Sequence, residues 1–379
     1  MKVALRVFGV FAVLVLTSCQ FFLGTAEEDP IRIGVAGPHT GPPAEYGVPP
    51  LRAAELLVEA ANATGGILDR EIVIVKLDDQ CDPAQAEPGA RTLLNSGVVA
   101  VIGHICSGAT SAAMAVYENS GIPVISPAST SPDLTTAGYS NFFRTILPDD
   151  YLTQSMVDTG ASASAGASDL VIVYDETLAF AAAGYATMED QITTAGLTHL
   201  SSEGVDFGDS ADADGVVTTV QSSDADALLV LGGDPSTLAA FVNDLRPDYA
   251  GTVVLSHTAF EQEFIDELTA DSSGIYVIAL PPVDARAAAR TLRQDHTDTY
   301  GGEPGAFFNN GAAAVQILLT AIDGAGTTSA GQLRSAVATG TFDTVLGEIS
   351  FNAQGTPSGG DVDYVAYEIV DDAFQASSE

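Results

Sequence analysis

The sequence holds no tryptophan, only three cysteines and only two lysines, Lys2 and Lys76. Lysine and arginine together number 13 against 50 acidic residues, a formal net charge of −37. Such a chain has little with which to neutralise a phosphate backbone, so nucleic acid is not an expected partner. The carboxylates read as a solvated, self-repelling surface rather than as acid-specific chemistry. Long apolar runs are equally scarce. Residues 7–16, behind the charges of Lys2 and Arg6, are apolar but too short to span a bilayer as a helix, and no later run is long enough.

That short run leads into Leu16-Thr17-Ser18-Cys19, the layout of a secretory signal. The ending resembles a bacterial lipobox, which implies that Cys19 carries a lipid as the first residue of the mature chain; a signal peptide with a chance cysteine is the plainer alternative. Residues 20–29 then read as a tether, after a signal at 1–19. Export makes the two remaining cysteines, Cys81 in DDQCDP and Cys106 in GHICSG, a candidate disulfide. Both follow predicted strands, at 72–77 and 99–102, and neighbouring parallel strands would bring them to one sheet edge. Zinc is the rival reading, but two thiolates without matching histidine spacing make a poor site.

What the chain has in quantity is small and apolar residues: 46% hydrophobic, with 37 glycines and 18 prolines, composition for two folded domains. From residue 31 short β-rich runs alternate with helical stretches. IRIGVAG, EIVIVKLDD, VVAVIGH and IPVIS read as strands, with a further one at 141–145. Helices are predicted at 51–61, 84–95 and 108–119. A second series has strands at 170–174, 227–231, 252–255 and 275–280, and helices at 181–195, 215–221, 236–245 and 261–268. ASASAGAS, at 161–168, reads as a surface turn. Helices at 285–300, 312–322 and 331–339 and strands at 347–351 and 362–370 close the chain. Nearly continuous apolar strands are those of a parallel sheet covered on both faces, so the fold class is α/β with two similar lobes.

Ligands of open α/β sheets bind beyond the carboxyl ends of the strands. Here those ends carry GPHTGPPAEYG (37–47), GHICSGAT (103–110) and SPASTSPDL (126–134). Amides and hydroxyls at helix starts suit an anion such as a carboxylate, without a lysine or arginine. Ser107 and Thr130, each of which could be only a helix cap, end adjacent strands and so share one expected site.

These segments, with GPPAEYG, ISPASTSPDLTTAGY and FDTVLGEISFNAQG, resemble the branched-chain amino-acid (Leu/Ile/Val)-binding proteins, type I periplasmic substrate-binding proteins of ABC importers. The resemblance runs over residues 30–373 and includes the cysteine pair. It implies two Rossmann-like lobes joined by three crossovers, near Pro148, Pro281 and Asn352, giving a first lobe of 30–148 plus 282–351 and a second of 149–281 plus 352–375. It implies no enzyme, no cofactor and no metal, but a monomer, held to the membrane through its lipid only, that closes on a small amino acid and hands it to a permease. Ser107 would hold the ligand carboxylate, with Ala128, Ser129 and Thr130 of the next loop and Tyr46 of the first. The second lobe departs from the family pattern. Its last loop tyrosine becomes Asp234, the acidic ammonium partner becomes Thr258, and an expected aromatic falls at Ala179 or Phe180. Asp234 is therefore the expected ammonium partner. If it faces solvent, a short amide or small carboxylate becomes the alternative ligand.

Other signals are weaker. DSADADG (209–215) is similar to a calcium loop but lacks both strong end ligands. His257 lies near the expected cleft, while His104, His199 and His296 are scattered. Phe307-Phe308-Asn309-Asn310 reads as core packing at a helix start. An enzyme would need a nucleophile with its base, and Ser107 sits in no GxSxG turn. A sensory ectodomain is the remaining alternative; it would carry a membrane span and a signalling domain after the lobes.

Overall fold

In the computed structural model the described residues are 29–163, 168–282 and 286–377, with the side chains of Ala179 and Phe180 outside the description. The first sheet is built from β1 (Ile31–Gly37), β2 (Ile72–Asp78), β3 (Ala100–Ile102), β4 (Val124–Ser126) and β5 (Phe142–Arg144), ordered β2-β1-β3-β4-β5 and parallel throughout. Its helices are α1 (Ala44–Ala63), α2 (Pro83–Asn95), α3 (Ser107–Ser120) and the short α4 (Asp133–Thr136). Ile31, Ile33 and Val35 on β1 are at most 2% exposed, which is why this strand reads as an unbroken apolar run. The helix predicted from residue 51 begins earlier, at Ala44, and carries Pro49 and Pro50 inside it. Both prolines are buried, and Pro50 packs against Gly311, where a Cβ would come within 2.7 Å of it. Burial compensates for the missing amide donors that pointed the sequence reading to a later start.

Helix α5 (Asp149–Ala163) carries the chain to a second sheet. That sheet contains β6 (Asp169–Asp175), β7 (Thr198–Val205), β8 (Ala227–Leu231), β9 (Thr252–Leu255) and β10 (Ile275–Ala279), with α6 (Ala179–Thr194), α7 (Ser210–Gln221), α8 (Pro235–Leu245) and α9 (Gln262–Glu267) between them. Then α10 (Ala287–Tyr300), α11 (Phe308–Ala325) and α12 (Ala330–Thr339) follow, and all three share the core of β1. A small sheet of β11 (Phe342–Thr344), β12 (Gly347–Phe351) and β13 (Pro357–Ser358) comes next. The hairpin of β14 (Val365–Val370) and β15 (Ala373–Ala376) completes the second sheet, ordered β15-β14-β10-β9-β8-β6-β7.

Three predicted features differ. The start of ASASAGAS, Ala161–Ala163, ends α5 rather than forming a turn; residues 164–167 lie outside the description. DSADADG opens α7, with the Asp209 carboxylate accepting the Ala211 amide at 3.0 Å, so it has helix geometry and not that of a calcium loop. The chain also stays with the first lobe beyond Asn352. The Gly355 carbonyl accepts the Arg144 amide at 3.1 Å, and Val362 packs in the core of β1, before β14 begins at Val365. Gly355 is at φ 72°, where a Cβ would meet the Phe142 carbonyl, so the close approach needs glycine.

The topology places the two sheets end to end. β5 leaves its sheet at its carboxyl end and runs into α5. β10 leaves at its own carboxyl end, and β14, antiparallel to β10, enters beside it through the pairing of Val365 with Ala279. The first two connections thus leave their sheets at carboxyl ends, and the third enters the second sheet at that same edge. Thr145 and Asn310 pin the first connection to α11 with paired bonds of 2.9 and 2.7 Å.

Candidate ligand-binding site

The first-lobe side is built on the ends of β2, β3 and β4. Cys81 and Cys106, 25 residues apart, form a disulfide with their Cα atoms 5.3 Å apart. Beneath it His104 bridges two buried partners, with Nδ1 2.5 Å from Asp79 Oδ2 and Nε2 3.2 Å from the Tyr117 hydroxyl. All three are fully buried. Burial, followed by the nearby Asp79 charge, pushes the Tyr117 hydroxyl well above its ordinary pKa. Gly103 precedes them at φ 125°, where a Cβ would strike the Ala36 carbonyl.

Helix α3 starts at Ser107, one residue past its cap position, and Cys106 supplies no side-chain cap. The amides of its first turn are therefore left for another acceptor. The Ser107 hydroxyl instead accepts the Ser131 amide at 3.2 Å, which ties the α3 start to the loop after β4. That loop is braced from within. Ser126 Oγ donates to the His104 carbonyl at 2.6 Å and accepts the Ser129 amide at 3.0 Å. Arg144, fully buried, donates to the carbonyls of Ser129 and Ser131 at 3.0 and 3.1 Å and to the Thr135 hydroxyl. Burial lowers its pKa to about 10, so it stays a cation. Because the peptide unit is planar and trans, drawing the Ser129 carbonyl toward Arg144 turns the Thr130 amide the other way.

On the second lobe, Asp175 ties two strand ends together. Its Oδ1 accepts the Thr177 amide and hydroxyl at 2.9 and 2.6 Å, and its Oδ2 accepts the Gly233 amide at 3.2 Å. A cavity of about 160 Å³ lies beside these strand ends. Asp149, Leu152 and Thr153 of α5, Gly184, Leu231, His257 and Tyr364 line it. Asp149 and Tyr364 belong to two of the three connections between lobes, so the cavity opens at the hinge. Desolvation lowers the His257 pKa and so disfavours its charged form. Asp149 is exposed, yet desolvation raises its carboxyl, against a bond from the Thr130 hydroxyl. A larger hollow, about 620 Å³, lies at the opposite, amino ends of β9 and β10, around Arg246 and Asp271, away from the cleft.

Two carboxyl-edge loop sets facing each other over a hinged cleft is a binding-protein geometry, and comparison decides the family. The sequence profile described as "Periplasmic binding protein" matches residues 30–371. The chain belongs to the periplasmic binding protein family. This binding protein is 26% identical, over 91% of each chain, to the leucine-, isoleucine-, valine-, threonine- and alanine-binding protein of Pseudomonas aeruginosa. It is 44% identical to the Leu/Ile/Val-binding protein of Escherichia coli over 124 residues, about a third of each chain. Among solved structures, it is similar to the branched-chain amino acid transporter substrate binding protein of Streptococcus pneumoniae in complex with isoleucine. That match has a TM-score of 0.63 and 25% identity, over 92% of this chain and 98% of the other. An ABC transporter substrate-binding protein from Sphaerobacter thermophilus shares the fold, with a TM-score of 0.73 and 18% identity over 92% and 97% of the two chains.

The sequence-derived site residues fall into three groups in this binding protein. Ser107, Ala128 and Thr130 sit on the joined loops of the first lobe. Ser129 does not offer its hydroxyl to the cleft: it is fully buried, 2.6 Å from Thr110 Oγ1 and 3.2 and 3.1 Å from the His104 and Ile105 carbonyls. Tyr46 is 44% exposed on α1 with its ring 6.2 Å from that of Phe307. Phe308 and Asn309 are core, but Phe307 is not packed beneath them.

The second-lobe residues are differently employed. Asp234 caps α8, accepting the Thr237 amide at 3.1 Å and hydroxyl at 2.8 Å, with its side chain at the surface. Burial acts to raise its pKa, but the Thr237 bonds outweigh it and hold the carboxyl below its ordinary value. Thr258 donates to the Gly232 carbonyl at 3.1 Å and lies 3.0 Å from Ser256 Oγ. Phe180 lies in the first turn of α6, its side chain outside the described residues, as does Cys19. Asp79, Arg144 and Asp149 escaped the sequence reading. Arg144 is a charge inside an apolar strand context, a signal that points to a buried role, whereas Asp79, between Asp78 and Gln80, gives none. Asp149 gives no local signal beyond following Pro148.

Proposed function

We propose that this protein is an extracytoplasmic solute-binding protein that takes a small aliphatic amino acid and delivers it to the permease of an ABC importer. The observation that carries the reading is the bond from the Ser131 amide to Ser107, which joins two strand-end loops into one anion-binding face opposite the hinge cavity. The names of the relatives over nine-tenths of the chain support the ligand class. The carboxylate sits against the first-turn amides of α3 with Ser107 and Thr130, and the cavity of the second lobe receives the remainder. The hinge crosses at 145–149, 279–286 and 362–365, the last later than Asn352. Closure of the two lobes buries the ligand and creates the surface the permease reads.

The test is a thermal-shift screen with leucine, isoleucine, valine, alanine and threonine. A ligand at a hundred times its Kd stabilises by about 2.7 kcal/mol. Ser107→Ala weakens that ligand about tenfold, since a hydrogen bond to a charged group is lost. No shift with any of the five, or an unaltered affinity in the variant, rejects the reading. The lipid anchor belongs to the same proposal and rests on the Leu-Thr-Ser-Cys ending. In membrane fractions, Cys19→Ser moves the protein to the soluble fraction; if the parent protein is already soluble, the anchor is wrong.

A further inference from the structure

We propose that the Asp149 carboxylate is the group that receives the ligand's ammonium, and that the ligand is therefore a zwitterion with its cationic end at the hinge. This rests on the function proposed above. Two other acidic groups at the second-lobe strand ends are already committed. Asp175 is 5% exposed, with both oxygens holding amides or a hydroxyl of its own loops. Asp234 caps α8 and faces the surface. Thr258 is uncharged, and its hydroxyl donates to Gly232.

Asp149, like Asp234, is exposed, but it stands at the cavity. It lines the hinge cavity beside His257, Thr153 and Tyr364. The charged and titratable groups that face it are Asp150 on its own helix, Arg144 from the first lobe, and Tyr364 and His257 from the second. Arg144 directs its hydrogen bonds to the Ser129 and Ser131 carbonyls, desolvation disfavours the charged form of His257, and Asp150 repels. The Asp149 carboxylate feels the Arg144 charge without a hydrogen bond from it, so at the cavity wall it can pair directly with an ammonium. Its position fits an α-amino acid as well. The Asp149 amide donates to the Thr130 carbonyl at 3.0 Å, and the Thr130 hydroxyl bonds its carboxylate. The cation-binding oxygens thus adjoin the loop that holds the anion, as the short spacing between the two charges of an α-amino acid requires. The apolar wall of Leu152 and Leu231 is left for the side chain.

The test is calorimetry on the full protein with paired probes, L-leucine against 4-methylpentanoate and L-valine against 3-methylbutanoate. Asp149→Asn is expected to weaken L-leucine and L-valine about tenfold while leaving the deaminated acids within about threefold, because only the amino acids lose an opposite charge. Asp149→Glu is expected to recover part of the loss, and Asp234→Asn to leave both probes unchanged. Equal weakening of amino acid and deaminated acid by Asp149→Asn means a structural role and overturns the assignment, as does unchanged L-leucine affinity. If the parent protein binds neither amino acid, the function proposed above falls and this assignment falls with it.

Discussion

At the scale of single residues, the first-lobe loops depend on charges buried beneath them. Asp79, His104 and Tyr117 form a fully buried chain under the disulfide, and Arg144 braces the neighbouring loop through two carbonyls. Such groups are tolerated inside only when each is satisfied, so removing one member leaves the next without a partner. Asp79→Ala is expected to cost about 3–5 kcal/mol in urea unfolding, the scale of breaking a buried pair. A loss under about 1 kcal/mol, that of an exposed pair, would mean that His104 is satisfied without it. The contrast with Ser129 is instructive. Its hydroxyl looks like a ligand donor in SPASTSP and is in fact fastened to Thr110 and the His104 and Ile105 carbonyls. Nothing in the string separates it from Thr130, two positions from Ala128, because the choice is made by which side of the loop faces α3.

At the scale of elements, legibility followed burial. β6, β8 and β9 are apolar on both faces and were plain in the sequence. β7 was not, since Thr198–Val205 is an edge strand whose residues are mostly exposed or half-buried and polar. β15 escaped for a similar reason: it pairs with β14 around Asp371 and Asp372, both at positive φ, and three of its four residues are exposed. Helix α5 was missed although five of its residues are buried, because Thr, Ser, Asp and Gly dilute its periodicity. That omission mattered most. The helix that went unread is the one whose first residue, Asp149, stands in the hinge cavity. The disulfide was readable for the opposite reason: once Cys19 is set aside, the chain offers a single pairing.

At the scale of the whole molecule, the proposed closure would move one lobe over the other about the connections between them, without disturbing either sheet. Leucine is expected to shift the population from open to closed, and small-angle X-ray scattering reads this as a smaller radius of gyration in the bound protein. An unchanged radius with saturating leucine would mean that binding occurs without closure. The net charge of −37 adds a mutual repulsion between the lobes, so closure is expected to be easier as salt screens it.

The amino-acid sequence by itself determined the alternation of strands and helices, the parallel two-lobed α/β class and the cysteine pairing. All of these follow from runs of a few residues and their local backbone chemistry. Only the tertiary structure decided which carboxylate stands at the hinge, which hydroxyls are spent inside the loops, and where the chain last passes between lobes. Those outcomes depend on bringing together Thr130, Asp149, His257 and Tyr364, residues whose proximity is produced by the crossovers and by no local pattern.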